Sequence, residues 1–171
     1  MSGLKGRSTR KRCLTIEEER LVIESCKDDL ERQTVLILLD TGMHVSVLCT
    51  PAMHQLQVKD GHLEWRRPKT GRDVKIKIKK RIAPFVEDYF NKDRPKDRRF
   101  YHSMIRDIGR RVGLDVSPMT FRHTFGVRCF EGGLTINTVQ RLMGVRNISV
   151  LMRYAELTDR MVDKELERID W

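Results

Sequence analysis

The sequence predicts an α+β domain, mainly α, with one small three-stranded antiparallel sheet. Three observations carry that reading. Apolar residues recur at helical spacing over most of the chain. Between Gln55 and Lys79 the period drops to two, the spacing of a half-buried strand. Two turn signals, Asp60-Gly61 and Thr70-Gly71, then divide that alternating stretch into three strands.

The elements follow in order. The lead MSGLKGRSTRKR is basic and rich in Gly and Ser, so residues 1–13 are expected to be a flexible arm that touches nucleic-acid phosphates, or a solvated tail. Thr15-x-x-Glu18 is a capping box, and Leu21, Val22 and Cys26 follow at helical spacing. A second helix runs through Val35, Leu36, Leu38 and Leu39 and stops near Asp40-Thr41-Gly42. Val45 to Cys49 adds a further helical turn. Leu56 and Val58 mark the first strand, and His62 to Arg67 the returning one. In the third, Val74, Ile76 and Ile78 alternate strictly with Lys75, Lys77 and Lys79. A helix follows Pro84 to about Phe90, then a charged loop from Asn91 to Arg99. Ile105, Ile108 and Val112 mark another helix, stopped at Gly113. Ser117 to Tyr154 reads as three amphipathic segments broken at Gly132-Gly133 and at Gly144. Met161, Val162, Leu166 and Ile169 place a last amphipathic helix over 158–171.

A chain of 171 residues is most simply one domain with a real core. Its net charge of +10 asks for a polyanionic partner, nucleic acid before a membrane surface. No run of about 18 apolar residues could span a bilayer, and the basic N-terminus lacks the apolar region of a signal peptide. Cys13, Cys26, Cys49 and Cys129 are scattered without a CxxC pair, which points to a reducing, cytoplasmic setting. The histidines show no ligand spacing, so no metal site is expected.

Two stretches carry chemistry. From Arg66 to Arg81 there are nine Lys or Arg against one Asp, too one-sided for an ordinary solvated face. Arg66, Arg67, Arg72, Lys75, Lys77 and Lys79 are the DNA-binding candidates of this stretch. Ser117 to Tyr154 places Arg122 near its start and Tyr154 near its end. Arginine binds phosphate oxygens in a planar, two-pronged way, and a tyrosine hydroxyl can serve as a nucleophile.

Read together, these pieces resemble the catalytic domain of the tyrosine recombinases, the phage-integrase family, from about Leu14 to Tyr154. LTIEEERLVIESC resembles the family's first helix, TGMHVSVL its TGLR-I-SEL motif, and PKTGR its hairpin with the active-site lysine. SPMTFRHTF resembles SPHDLRHTFAT, and LMGVRNISVLMRY resembles LLGHSSISTTxRY. The resemblance implies a tyrosine-recombinase-like catalytic domain over 14–171. It implies double-stranded DNA as partner and strand cleavage and rejoining through a 3'-phosphotyrosine, with no cofactor. Cationic donors must then stand ready around the phosphate oxygens, and the leaving oxygen needs a proton.

Position by position, the resemblance makes Tyr154 the nucleophile, Arg122 the second arginine and Lys69 the general acid, with a plain phosphate contact as Lys69's other reading. His44 stands at the first arginine position, Met119 at the first histidine and Val145 at the second. Val47 replaces the motif's acidic residue. Histidine offers at most two donors and is mostly neutral at pH 7, so His44 is either a weak phosphate contact or a structural residue. Met119 and Val145 have no proton to give and read as packing residues, and His123 as a buried hydrogen-bonding residue. Two functions are therefore expected: a recombinase with impaired chemistry, or a non-catalytic DNA-binding regulator or architectural protein on the same scaffold. Family members usually carry an N-terminal core-binding domain, which is expected to be absent here, and their C-terminal helix often packs on a neighbouring protomer. The helix over 158–171 could build a homo-oligomer on DNA in that way, or pack in cis.

Overall fold

Thr15 starts the first helix as its capping box requires. Its hydroxyl accepts the Glu18 N–H at 3.1 Å, while the Glu18 carboxylate accepts the Thr15 N–H at 3.0 Å. Helix α1 (Ile16–Glu24) leads to α2 (Asp29–Thr41), which is capped by Asp28 and ends at Gly42 with φ +58°. Every residue of α2 from Thr34 to Thr41 is buried, so this helix is the centre of the core. Helix α3 (Val45–Cys49) follows, with a 3₁₀ turn at Ala52–His54. The computed structural model describes residues 13–67, 71, 73–95, 97–145 and 151–152. Residues 1–12 of the arm expected over 1–13, and the C-terminal helix expected over 158–171, lie outside them.

The sheet has the order β1-β2-β3, with β1 at Gln57–Lys59, β2 at His62–Arg66 and β3 at Asp73–Lys77, all antiparallel. Lys59 pairs with His62, leaving Asp60-Gly61 as a two-residue turn with φ of +49° and +70°, the left-handed pair that matches strand twist. Leu63 faces Ile76 and Trp65 faces Val74 on the buried side. Glu64 faces Lys75 on the outer side. The third strand stops at Lys77, short of the expected Lys79, because the chain turns there to satisfy a buried acid. Arg81 grips Asp40 with Nε at 2.7 Å and Nη2 at 2.6 Å, and Lys79 reaches the same carboxylate at 3.2 Å.

Helices α4 (Val86–Asn91), α5 (Arg98–Arg111), α6 (Pro118–Glu131) and α7 (Ile136–Met143) complete the described chain. Helix α5 begins at Arg98, inside the expected charged loop, since Asp97 caps it by accepting the Arg99 N–H at 2.9 Å. Helix α6 packs along α2, α5 against α2, α3 and α6, and α7 against α6 and β3. Cys49 and Cys129 are buried, and all four cysteines are free thiols. Among the described residues, no helix is long and apolar enough to cross a membrane.

Candidate phosphate-binding site

The site is built where three chain segments end. Helix α6 opens at Ser117, whose hydroxyl accepts the Thr120 N–H at 3.3 Å, with Pro118 in the first turn. One turn further in, Arg122 is buried, only 8% exposed. Its Nη1 donates to the Gly42 carbonyl at the end of α2, and its Nη2 to the Met143 carbonyl at the end of α7, at 2.6 Å. Both acceptors sit at helix C-termini, where partial negative charge collects and a cation is favoured. Arg122 thus ties two helix ends together.

His44 lies two residues beyond Gly42 and caps α3. Its Nδ1 accepts the Ser46 N–H at 3.3 Å and lies 3.0 Å from the Ser46 hydroxyl. An accepting Nδ1 leaves the proton of the neutral ring on Nε2, so His44 keeps one N–H to offer. Burial, then the positive charges of Arg122, Arg98 and Arg67 and the neighbouring His102, push its pKa down to about 4. The ring is therefore neutral at pH 7. His44 thus has the structural role that was one of its two readings, capping α3, and it stands among cations.

Arg67 enters from the sheet. Strand alternation puts Leu63 and Trp65 on the buried face, and Arg67 continues that face just past the end of β2. Its Nη1 donates to the Gly144 carbonyl at 2.6 Å. Gly144 has φ +57°, and a Cβ there would lie 2.5 Å from Arg67 Nε, so the glycine makes room for the guanidinium. Arg122 and Arg67 are thereby held by consecutive carbonyls, those of Met143 and Gly144. Burial lowers the basicity of Arg67, and its Nη2 is buried without a hydrogen-bond partner.

The other expected site residues divide. Arg66 is exposed at the end of β2. Lys77 projects from the outer face of the sheet, and Lys75 there pairs with Glu64 at 2.6 Å. Lys79 is tied to Asp40, and Arg128 to Glu19. Lys69, Arg72 and Tyr154 lie outside the described residues, although Leu151, three positions before Tyr154, is fully buried. His123 is buried at 4% exposure, and Val145 packs on the core, both as expected. Met119 does not pack: it is 43% exposed in the first turn of α6. Among the described residues, no group of His, Cys, Asp or Glu could hold a metal ion.

A basic row on α5 was missed. Arg98, His102 and Arg106 recur every four residues along the flank of the buried face that Tyr101, Ile105 and Ile108 form, and Arg98 and His102 act on His44. That four-residue spacing is the signal in the sequence, and it becomes a helical row only because α5 begins at Arg98, inside the expected charged loop.

The comparisons with known proteins fit this geometry. The model of the phage integrase family matches residues 12–161. Tyrosine recombinase XerA of Pyrococcus furiosus is 27% identical over 174 residues, covering 91% of this chain and 60% of the relative. Tyrosine recombinase XerD of Listeria innocua is 25% identical, covering 71% of this chain and 48% of the relative. The chain thus spans little more than half the length of the curated relatives it matches. Among solved structures, that of XerA recombinase superposes with a TM-score of 0.73 at 21% identity, over 99% of this chain and 68% of the other. The catalytic domain of bacteriophage HP1 integrase superposes with a TM-score of 0.66 at 16% identity, over 92% of this chain and 94% of that domain.

Proposed function

This chain belongs to the phage integrase family, and on that premise we propose that it is a DNA-binding recombinase domain that cleaves and rejoins strands slowly, through a tyrosyl phosphate on Tyr154. One observation carries the proposal. Arg122 stands buried on carbonyls at two helix ends, beside a neutral His44, where a phosphate oxygen could be met by positive charge and by one N–H. In the step itself, the Tyr154 oxygen forms a bond to phosphorus and the bond to the 5'-oxygen breaks. Lys69 gives that leaving oxygen its proton, the tyrosine gives its own to solvent water, and Lys69 regains a proton from solvent, so the exchange balances. Charge that builds on the non-bridging oxygens is met by Arg122. His44 supplies a single donor in place of a two-pronged guanidinium. A lost donor of this kind costs about 10²- to 10³-fold in rate.

The positive surface supports a duplex as partner. Arg66 and Lys77 on the hairpin and Arg98 and Arg106 on α5 are exposed on elements that flank the site. The second reading, a DNA-binding protein without chemistry, draws on Met119 and Val145, neither of which can handle a proton.

Covalent capture on a pool of nicked suicide duplexes of randomised sequence separates the two. A denaturant-stable adduct is expected from the natural chain, absent in Tyr154→Phe, and faster when His44→Arg, Met119→His and Val145→His are combined. Absence of adduct from both the natural chain and the triple variant would establish the non-catalytic reading.

A further inference from the structure

We propose that Arg67 contacts the reacting phosphate, supplying through its Nη2 the second guanidinium that position 44 lacks. The proposal deepens the recombinase reading and rests on it for the identity of the anion. It starts from an energetic oddity. A buried guanidinium nitrogen without a partner is costly, and such groups persist where a ligand completes them. Nη2 of Arg67 is buried without a partner, while Nη1 of the same group is fixed on the Gly144 carbonyl.

The contrast with Arg128 sharpens the point. Arg128 also has a buried, unpartnered Nη2, but its Nη1 pairs with the Glu19 carboxylate, so its charge is offset. Arg67 pairs with no carboxylate among the described residues; burial is what acts on it. Its anchor is a neutral carbonyl, so its positive charge remains for an anion. The place is also right. Arg122 is bound to the carbonyl of Met143, immediately before Gly144, and Arg67 is one of the charges felt at His44. Two guanidiniums on consecutive carbonyls can present a pair of prongs to one tetrahedral anion. Gly144 is fitted to the arrangement, since any Cβ there would collide with Arg67 Nε, Cζ and Cδ at 2.5, 2.6 and 2.8 Å.

The test uses inorganic orthovanadate, a phosphoryl-transfer mimic, titrated calorimetrically against the full chain, beside adduct formation on the nicked pool. Arg67→Gln should weaken orthovanadate binding at least tenfold and slow adduct formation by about 10²- to 10³-fold, while duplex affinity falls no more than about threefold. Arg67→Lys, which keeps the charge and one anchor but loses the fork, should fold, bind duplex and still lose most orthovanadate affinity. That variant decides the matter if Arg67→Gln proves unstable. Arg20→Gln, on the exposed face of α1, is the charge control. Orthovanadate binding in Arg67→Gln equal to that of Arg20→Gln overturns the proposal, as does a natural chain that binds no orthovanadate. Arg67-dependent orthovanadate binding without any Tyr154-dependent adduct sinks the recombinase reading instead and leaves the anion clamp standing.

Discussion

Gly42→Ala puts the site's scaffold under the sharpest structural test. Gly42 ends α2 with φ +58°, and a methyl group there would lie 2.3 Å from Cδ1 and 2.7 Å from Cγ of Phe125. Phe125 is itself 4% exposed on α6, in the main helix–helix contact, so the ring has little room to retreat. Two costs add. The left-handed backbone costs an L-residue about 1–2 kcal/mol. Forcing a methyl into a packed core costs about 1–3 kcal/mol more. A loss of roughly 2–5 kcal/mol corresponds to about 4–20 °C in Tm for a domain of this size. Gly61→Ala provides the control, because Gly61 has φ +70° and nothing within 4 Å of its would-be Cβ. It should lose only the backbone part. Thermal melts of the two variants side by side therefore isolate the collision. Because the Gly42 carbonyl also holds Arg122, Gly42→Ala should lower orthovanadate affinity even where the fold survives. Equal melting temperatures for the two variants would refute the claimed packing of α2 against α6.

Further expectations concern charge. His44 has its folded pKa near 4 against an ordinary 6.5, so the unfolded chain binds more protons between those values and stability falls as pH drops through that window. After solvent screening the contribution is about 1–2 kcal/mol, and melts from pH 4 to 7 should show a shallower slope in His44→Asn, which keeps a helix cap. Asp40 is fully buried and gripped by Arg81, so Asp40→Asn should cost about 3 kcal/mol in urea unfolding; a loss under about 1 kcal/mol would show the network idle. Duplex binding should weaken steeply with salt. Arg98→Glu with Arg106→Glu should lower the slope of log affinity on log salt by about 2, and an unchanged slope would remove α5 from the interface.

How much of this was legible in the sequence varied with the kind of signal. Local chemistry read well: the Thr15-Glu18 capping box, the Asp60-Gly61 turn and the Val74/Ile76 alternation all fold as their residues dictate. The strand end at Lys77 did not, because it is set by Asp40, far away in sequence on α2. The motif singles out Arg122, and the fold buries it on the carbonyls of two helix ends. The sequence marks Arg67 only as one of several DNA-binding cations; alternation from Leu63 and Trp65, read one residue past the strand, is what turns it inward. The lysine-rich face misled in the other direction. Lys75 and Lys79 look free in the sequence, and only the fold supplies Glu64 and Asp40 as their partners.

The distinction that matters is what neutralises each cation. Arg81 and Arg128 sit on buried carboxylates, those of Asp40 and Glu19, and their charge is offset within the fold. Such arginines hold α1, α2, α6 and the segment after β3 together and contribute little field to an incoming anion. Arg122 and Arg67 instead rest on the carbonyls of Gly42, Met143 and Gly144, which orient a guanidinium through partial charge without cancelling it. On the proposed function, a phosphate arriving there would meet donors already in position, with no reorganisation required as charge builds on its oxygens. The same arrangement adds to burial in keeping His44 neutral: beyond the cost of desolvation, a further full charge in this corner would repel the guanidiniums already there, so the position favours a ring that can shed its proton. Replacing His44 by Arg should then destabilise the unliganded chain while tightening orthovanadate binding. Opposite signs for those two effects, measured on one variant, are what an anion site built on carbonyl-anchored guanidiniums requires.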